Sequence, residues 1–254
     1  MALPLYLAMT PSEMSSIEVF PNNFAYMAYH FSPYSQGLSN LPASLPKKAI
    51  LILNDNFPCQ GHCPSLVADQ LKTALNTFHC ESLLLDFQRP STPETEQMVQ
   101  TIVAGLTQPV VLPPAYTKDW DGPVFLPPCP LHMSLQEYLK PWKEREIWME
   151  AALCQEDAVV TGNGTNFIPQ FPSQGLNGGF FDESLCCNYR INSDEHSITF
   201  TLFDTNHSLE KKLSLAQALG VCRAIGLYQE LGHSRPDSHI PAAPLPDHKD
   251  HDII

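Results

Sequence analysis

The chain has 254 residues, of which 43% are hydrophobic, and its formal net charge is −13 with only 14 basic residues. This composition indicates a globular protein, and the length suits one eight-stranded α/β barrel, with two small domains as the fallback. So acidic a surface repels phosphate backbones and anionic lipid, so we expect neither nucleic acid nor membrane as a partner. The first residues lack the positively charged region of a signal peptide and any long apolar run. We therefore expect a cytoplasmic protein without a membrane span.

Eight cysteines could suggest disulfides, but several lie in apolar contexts and no secretory signal precedes them. Reduced, buried thiols are therefore the prediction. Cys59 and Cys63 flank His62, yet their spacing is wider than in the usual zinc pair and no second pair follows, so a loop before a helix is favoured. No P-loop, G-x-S-x-G or G-x-G-x-x-G motif follows a strand. We expect no metal and no cofactor.

The stretch 49–90 gives the clearest view of the fold. AILILN (49–54) and SLLLDF (82–87) are apolar on both faces, which is typical of buried parallel strands. Between them, 64–78 has apolar residues on one face at helical spacing, and 91–106 begins with Thr92 as a helix cap. The pattern predicts repeated strand–helix units.

The rest of the chain extends this alternation to eight strands. They are predicted at 5–10, 24–31, 49–54, 82–87, 109–112, 123–126, 147–153 and 198–203. We interpret the chain as an irregular (β/α)8 TIM-like barrel, because the helices after the first, second and fifth strands are weak. A doubly wound open sheet is the alternative.

The C-terminal third departs from the alternation. Residues 156–195 predict a β-hairpin and a Pro/Gly-rich loop inserted before the last strand, and 213–231 predicts a final helix. The Pro-, Asp- and His-rich residues 233–254 predict a disordered tail. The expected organisation is one barrel domain over 1–232 followed by this tail.

Catalytic groups of α/β barrels lie at the C-terminal ends of the strands. The polar residues at these predicted ends form a mouth rich in acids and aromatics, which suits a neutral polyhydroxy ligand. Asp86 and Glu150 are the candidate catalytic residues; the candidate ligand-binding residues are Gln88, Arg89, Asp55, Tyr116, His132, His30 and Asp204.

Most of these candidates also have a structural interpretation. Asp55 and Asp204 could cap loops, and the two histidines could be satisfied at the edge of the core. Asp86 could form an ion pair with Arg89. Glu150 could line the barrel interior or pair with Arg145.

The stretch 49–90 resembles the third strand, helix and fourth strand of family 18 glycoside hydrolases, the chitinase-like barrels. In that family the fourth strand carries D-x-x-D-x-D-x-E, often followed by an aromatic residue and proline. On this chain the last Asp of the motif falls on Asp86, the aromatic residue between that Asp and the Glu on Phe87, and the final Glu on Gln88. The other two acidic positions fall on Leu84 and Glu81. The resemblance implies a (β/α)8 barrel and a saccharide ligand.

Gln88 changes the chemistry that the resemblance implies. The family's reaction needs a carboxylic acid to protonate the glycosidic oxygen, and an amide can only form a hydrogen bond with it. The leading hypothesis is a carbohydrate-active barrel in which Asp86 orients, Gln88 binds the ligand and Glu150 is the acid or base. The alternative is a catalytically inactive barrel with a binding or scaffold role. Whether the protein is an enzyme stays open.

Overall fold

The computed structural model describes residues 2–172 and 178–232. The strands are, in chain order, β1 (Leu5–Met9), β2 (Phe24–Phe31), β3 (Leu38–Ser39), β4 (Ile50–Asn54), β5 (Ser82–Asp86), β6 (Val110–Val111), β7 (Val124–Leu126), β8 (Ile147–Ala151), β9 (Gln155–Thr161), β10 (Gly164–Gln170), β11 (Phe180–Asp182), β12 (Cys187–Ser193), β13 (Ser197–Phe203) and β14 (Val221–Leu227). The helices are α1 (Pro11–Ser16), α2 (Pro64–Thr77), α3 (Pro93–Gly105), α4 (Leu135–Leu139), α5 (Asn206–Ala218) and α6 (Tyr228–Leu231). The tail predicted over 233–254 lies outside the described residues.

Eight parallel strands form a closed barrel in the order β6-β5-β4-β2-β1-β14-β8-β7. A parallel bridge between Leu112 and Val124 joins the two ends, and the Phe125 N–H donates to the Leu112 carbonyl oxygen at 2.8 Å. The predicted TIM-like barrel is therefore confirmed. It is irregular as expected: α1 has only 6 residues, and a 3-10 turn (Pro114–Tyr116) stands between β6 and β7.

The eighth barrel strand differs from the prediction. Residues 198–203 lie in β13, whose alternation of polar and apolar residues suits the antiparallel pairs that it forms with β9 and β12. The true eighth strand is β14, which lies inside the predicted helix 213–231. That prediction followed apolar residues at helical spacing, but Gly220, with φ of +95°, lies where the chain turns after α5. The following residues then pair with β1 and β8.

The insertion before the last strand is confirmed and is larger than a hairpin. It is a five-stranded antiparallel sheet in the order β10-β9-β13-β12-β11, here called the insertion sheet. Leu131, from the segment after β7, packs against Cys187 and Leu202 of this sheet. The sheet therefore stands beside the C-terminal end of the barrel.

The barrel interior is filled by side chains, and its N-terminal end is closed. Tyr6, Phe125 and Trp148 are among the buried residues of the interior cluster. Below them the Tyr6 hydroxyl donates to Glu81 at 2.7 Å, and the Arg223 guanidinium donates to both and lies 4.5 Å over the Trp148 ring. The opening therefore lies at the C-terminal ends of the strands, as in other barrels of this kind.

None of the helices within residues 2–172 and 178–232 has the length and apolar character needed to cross a lipid bilayer.

Candidate functional site

Three of the sequence-predicted residues meet in a small cavity inside the barrel mouth. Asp86 ends β5, Glu150 lies near the end of β8, and both line a cavity of about 50 Å³ together with Gln88. The remaining wall is mostly apolar and includes Met27 and Phe125. The mouth is thus an apolar pocket with two carboxyl groups and one amide at its rim.

Gln88 is hydrogen-bonded to Asp86. Its Nε2 donates to Asp86 Oδ1 at 3.1 Å, while the glutamine itself remains exposed. Burial raises the pKa of the Asp86 carboxyl group, the hydrogen bond from Gln88 opposes this, and the charge of Asp55 adds to the rise. The amide therefore occupies the place beside Asp86 where a glutamic acid could share a proton with it.

Glu150 is the more strongly perturbed carboxyl group. Burial, together with the charges of Asp86 and Glu230, raises its pKa to about 7. Near neutral pH it is therefore present in both protonation states. Such a group can donate or accept a proton, which is what a general acid or base requires.

Sequence reasoning missed Glu230. It lies in α6 directly after β14, and its Oε2 is buried without a hydrogen-bond partner among the described residues. The sequence signal was present, because a strand ending at Leu227 would have placed Glu230 at a strand end. The error over 213–231 concealed it.

Asp55 and Arg89 stabilise the loops beside the barrel mouth. The Asp55 carboxylate accepts from the backbone N–H of Gln88 at 3.0 Å and of Arg89 at 2.9 Å. The Arg89 side chain donates to the carbonyl oxygens of Asp55 at 2.7 Å and Asn56 at 2.8 Å. Its described contacts thus join the loops after β4 and β5 instead of forming the ion pair with Asp86 considered above.

Three other candidates are engaged elsewhere. His30 Nδ1 donates to the Phe31 carbonyl oxygen at 2.7 Å. The Tyr116 ring packs 5.9 Å from that of Phe87 and lines a separate cavity beside α3. Asp204 is buried in an ion pair with Lys212 at 2.9 Å. Each has a structural partner, and none lines the mouth cavity.

His132 lies in a different place from the mouth cavity. Its Nδ1 is 2.8 Å from the Glu156 carboxylate, and its ring stacks on Phe167 of the insertion sheet at 3.9 Å.

Arg145, the alternative partner considered for Glu150, donates instead to the carbonyl oxygens of Trp120 and Thr117. Glu150 therefore faces the mouth cavity without this arginine.

The cysteine–histidine stretch before α2 shows no ligand arrangement. Both ring nitrogens of His62 lie close to backbone carbonyl oxygens, of Cys59 at 3.1 Å and of Ser32 at 2.9 Å. Within residues 2–172 and 178–232, no group of three or more His, Cys, Asp or Glu side chains has the geometry to hold a metal ion.

Comparison with known proteins rests on structure alone, since no protein-family model and no curated protein sequence matches the chain. A mutant family 18 chitinase from Cycas revoluta in complex with (GlcNAc)4 has a TM-score of 0.56 and 12% identity, over 89% of this chain and 94% of the other. The chain has the fold of the family 18 glycoside hydrolases. A family 18 N-acetylglucosaminidase from Paenibacillus barengoltzii has a TM-score of 0.54 and 9% identity, over 88% of this chain and 94% of the other. A mutant class V chitinase from Nicotiana tobaccum in complex with NAG4 has a TM-score of 0.53 and 8% identity, over 89% and 93%.

We expect Glu150 to make the stability of this barrel depend on pH. Its pKa of about 7 exceeds the unfolded value of 4.5, so the native state binds more protons between these values and stability falls as pH rises through them. At one pKa unit per about 1.4 kcal/mol, the loss approaches about 3 kcal/mol above pH 7. We expect Glu150→Gln to be more stable than the wild type at pH 8 by up to that amount, and equally stable near pH 4.

Urea unfolding at both pH values checks this expectation. Glu144→Gln is the matched control, because that side chain is 85% exposed and should change stability by less than about 0.5 kcal/mol at either pH. A Glu150→Gln effect of the same size at pH 4 and pH 8 would contradict the assignment.

Proposed function

We propose that the barrel binds a saccharide bearing N-acetyl groups, with a substituent of one sugar entering the mouth. The observation that carries the proposal is the apolar pocket rimmed by the Asp86–Gln88 pair and Glu150. Two solved structures of the same fold, described as glutamate-to-glutamine mutants of chitinases, are complexes with (GlcNAc)4 or NAG4. They support the ability of such a barrel, with a glutamine introduced, to hold an oligosaccharide of this class.

The size of the cavity decides which part of a sugar could enter. Ligand pockets usually have volumes of about 300–1,000 Å³, and the mouth has about 50 Å³. A ring therefore lies above the rim and only a substituent reaches inside. An acetamido group fits this arrangement, because its methyl meets the apolar wall while its N–H and C=O find the Asp86 carboxylate and the Gln88 amide.

Binding without hydrolysis is the form of the proposal that Gln88 favours. An amide cannot give up a proton at neutral pH, so the hydrogen bond beside Asp86 leaves no acid at that position. A second candidate, a slow glycosidase, is favoured by Glu150, whose pKa of about 7 provides an acid in the same cavity.

Titration calorimetry with (GlcNAc)4 tests the binding. Cellotetraose is the matched control, since it has the same backbone without acetamido groups. We expect (GlcNAc)4 to bind and cellotetraose to bind at least tenfold more weakly. Asp86→Asn should weaken (GlcNAc)4 binding by about 10- to 100-fold, the usual effect of losing a hydrogen bond to a charged group.

Equal affinity for the two sugars, or no effect of Asp86→Asn in a folded variant, would refute the mouth as the binding site. Hydrolysis of aryl-glycosides by the wild type separates the two candidates. Wild-type activity that is lost in Glu150→Gln would support the glycosidase, and no activity in the wild type would support binding alone.

A further inference from the structure

A groove between the barrel and the insertion sheet combines a cavity with an oriented polar group. It has a volume of about 460 Å³, within the usual range for small-molecule sites. Its walls include four prolines and several apolar side chains. The residues that define this insertion groove are Pro130, Leu131, His132, Leu153, Phe167 and Pro169.

A buried carboxylate orients the one imidazole in this groove. Glu156 is 6% exposed and accepts from the His132 backbone N–H at 3.1 Å and from Nδ1 at 2.8 Å. A neutral His132 therefore carries its proton on Nδ1 and presents Nε2 as an acceptor. Because Nδ1 faces Glu156, the Nε2 edge is the part of the ring that can reach the groove.

Phe167 fixes the plane of the imidazole. The two rings are 3.9 Å apart with 18° between their planes, so one face of His132 is covered by the edge strand β10. An acceptor held at one angle beside flat apolar walls selects a ligand by shape and by one hydrogen bond.

The neighbouring thiols add no reactive group. Cys129 and Cys154 also line the groove, but burial raises the pKa of Cys129 to about 12 and of Cys154 to about 11. Both are therefore protonated at neutral pH, and neither is paired with the imidazole as an activated nucleophile would be. The groove is built for binding.

We propose that the insertion groove is a second ligand site, separate from the mouth, for a flat apolar ring compound carrying one hydroxyl or N–H donor. The donor bonds to His132 Nε2, and the ring lies among the prolines, Leu153 and Phe167.

A matched pair of probes tests the hydrogen bond. p-Cresol carries the hydroxyl donor, and 4-methylanisole has the same ring with the hydrogen replaced by methyl. In ¹H–¹⁵N NMR titrations of the full chain, p-cresol should bind about fivefold more tightly, the effect of one neutral hydrogen bond. Shifts should appear at Leu131, His132 and Phe167. Equal affinities for the two probes would overturn the proposal.

Two variants test the residues. Phe167→Leu should weaken p-cresol binding several-fold, whereas Phe180→Leu, on β11 at the far edge of the same sheet and 63% exposed, should leave it unchanged. In Glu156→Gln the single amide oxygen accepts from the His132 backbone N–H. The amide NH₂ therefore donates to Nδ1, and the imidazole proton moves to Nε2. The preference for p-cresol over 4-methylanisole should then disappear.

Three further results would overturn the proposal. The first is p-cresol shifts at mouth residues such as Met27 and Phe125, and the second is equal losses in the two phenylalanine variants. The third is (GlcNAc)4 shifting the groove residues, which would make the groove part of the saccharide site. Failure of (GlcNAc)4 to bind anywhere affects only the mouth proposal, since the groove shares no residue with the mouth cavity.

Discussion

Replacing Lys212 with methionine is expected to lower the free energy of unfolding by about 3–5 kcal/mol, the usual cost of removing one partner of a buried ion pair. Lys212 Nζ donates to both carboxylate oxygens of Asp204, at 2.9 and 3.0 Å, and the Asp204 side chain is fully buried. Burial lowers the pKa of Lys212, but the adjacent Asp204 carboxylate raises it by more. The net shift of the lysine pKa is therefore upward. Without the ammonium group, a buried carboxylate is left without its counter-charge.

The position of the pair explains why the effect should be global. Asp204 follows the last strand of the insertion sheet, and it also accepts from the Cys154 backbone N–H at 3.3 Å and from the Ser208 hydroxyl at 2.9 Å. It therefore joins the insertion sheet, the segment after β8 and α5. Loss of this junction weakens contacts between the sheet and the barrel as well as one ion pair.

Lys211 supplies the matched control for this prediction. It is adjacent in sequence, and its ion pair with Glu183, at 3.3 Å, is exposed. Lys211→Met should cost less than about 1 kcal/mol. Adding Asp204→Asn to Lys212→Met removes the stranded charge and should restore more than half of the lost stability. Guanidinium unfolding curves measure all of these variants, and a Lys212→Met cost no larger than that of Lys211→Met would refute the role of the pair.

Seven of the eight barrel strands could be predicted from sequence because buried parallel strands are continuous apolar runs. Ile50–Asn54 and Ser82–Asp86 are such runs, and each is bounded by a clear turn or helix start. Val221–Leu227 could not be recognised in the same way. It carries Cys222, Arg223 and Gly226, and it follows a helix whose apolar spacing continues into it by coincidence.

Gly226 meets a packing requirement of β14 that the hydrophobic pattern of the sequence does not express. A Cβ at this position would lie 2.6 Å from the Ala151 carbonyl oxygen and 2.4 Å from Leu231 Cδ1. The glycine allows β14 to approach β8 and α6 closely. This requirement depends on neighbours distant in sequence, so it becomes visible only in the folded barrel.

Whether a site residue could be predicted depends in the same way on whether its strand was correctly identified. Asp86, Gln88 and Glu150 could be placed together because they end strands that were correctly identified. The structural role of Asp204 could not be predicted, because the strand that it follows belongs to the insertion sheet. That role also depends on Lys212, which lies in α5. Glu230 escapes the sequence prediction because the pattern of residues 213–231 predicts a helix where β14 precedes it.

Replacing Gln88 with glutamate is expected to raise the rate of glycoside hydrolysis by about 10²–10⁴-fold over the wild type, the usual contribution of a positioned general acid. This prediction rests on the proposed saccharide site. Gln88 Nε2 already lies 3.1 Å from Asp86 Oδ1, so a glutamic acid in the same rotamer could donate its proton to Asp86 or to a ligand above the rim. Burial and the charge of Asp55 raise the Asp86 pKa, which favours sharing of a proton between the two groups.

Release of an aryl leaving group from chito-oligosaccharide substrates measures the effect. Gln88→Leu is the control, because it removes the hydrogen bond to Asp86 without adding an acid, and it should show no gain over the wild type. Asp86→Asn in the Gln88→Glu background should abolish the gained activity, since the new acid then lacks the carboxylate that orients it. A folded Gln88→Glu variant that binds (GlcNAc)4 yet shows no increase in hydrolysis would mean that a second catalytic feature besides the acid is absent from the mouth. That result would refute the proposal that Gln88 alone prevents hydrolysis in the mouth.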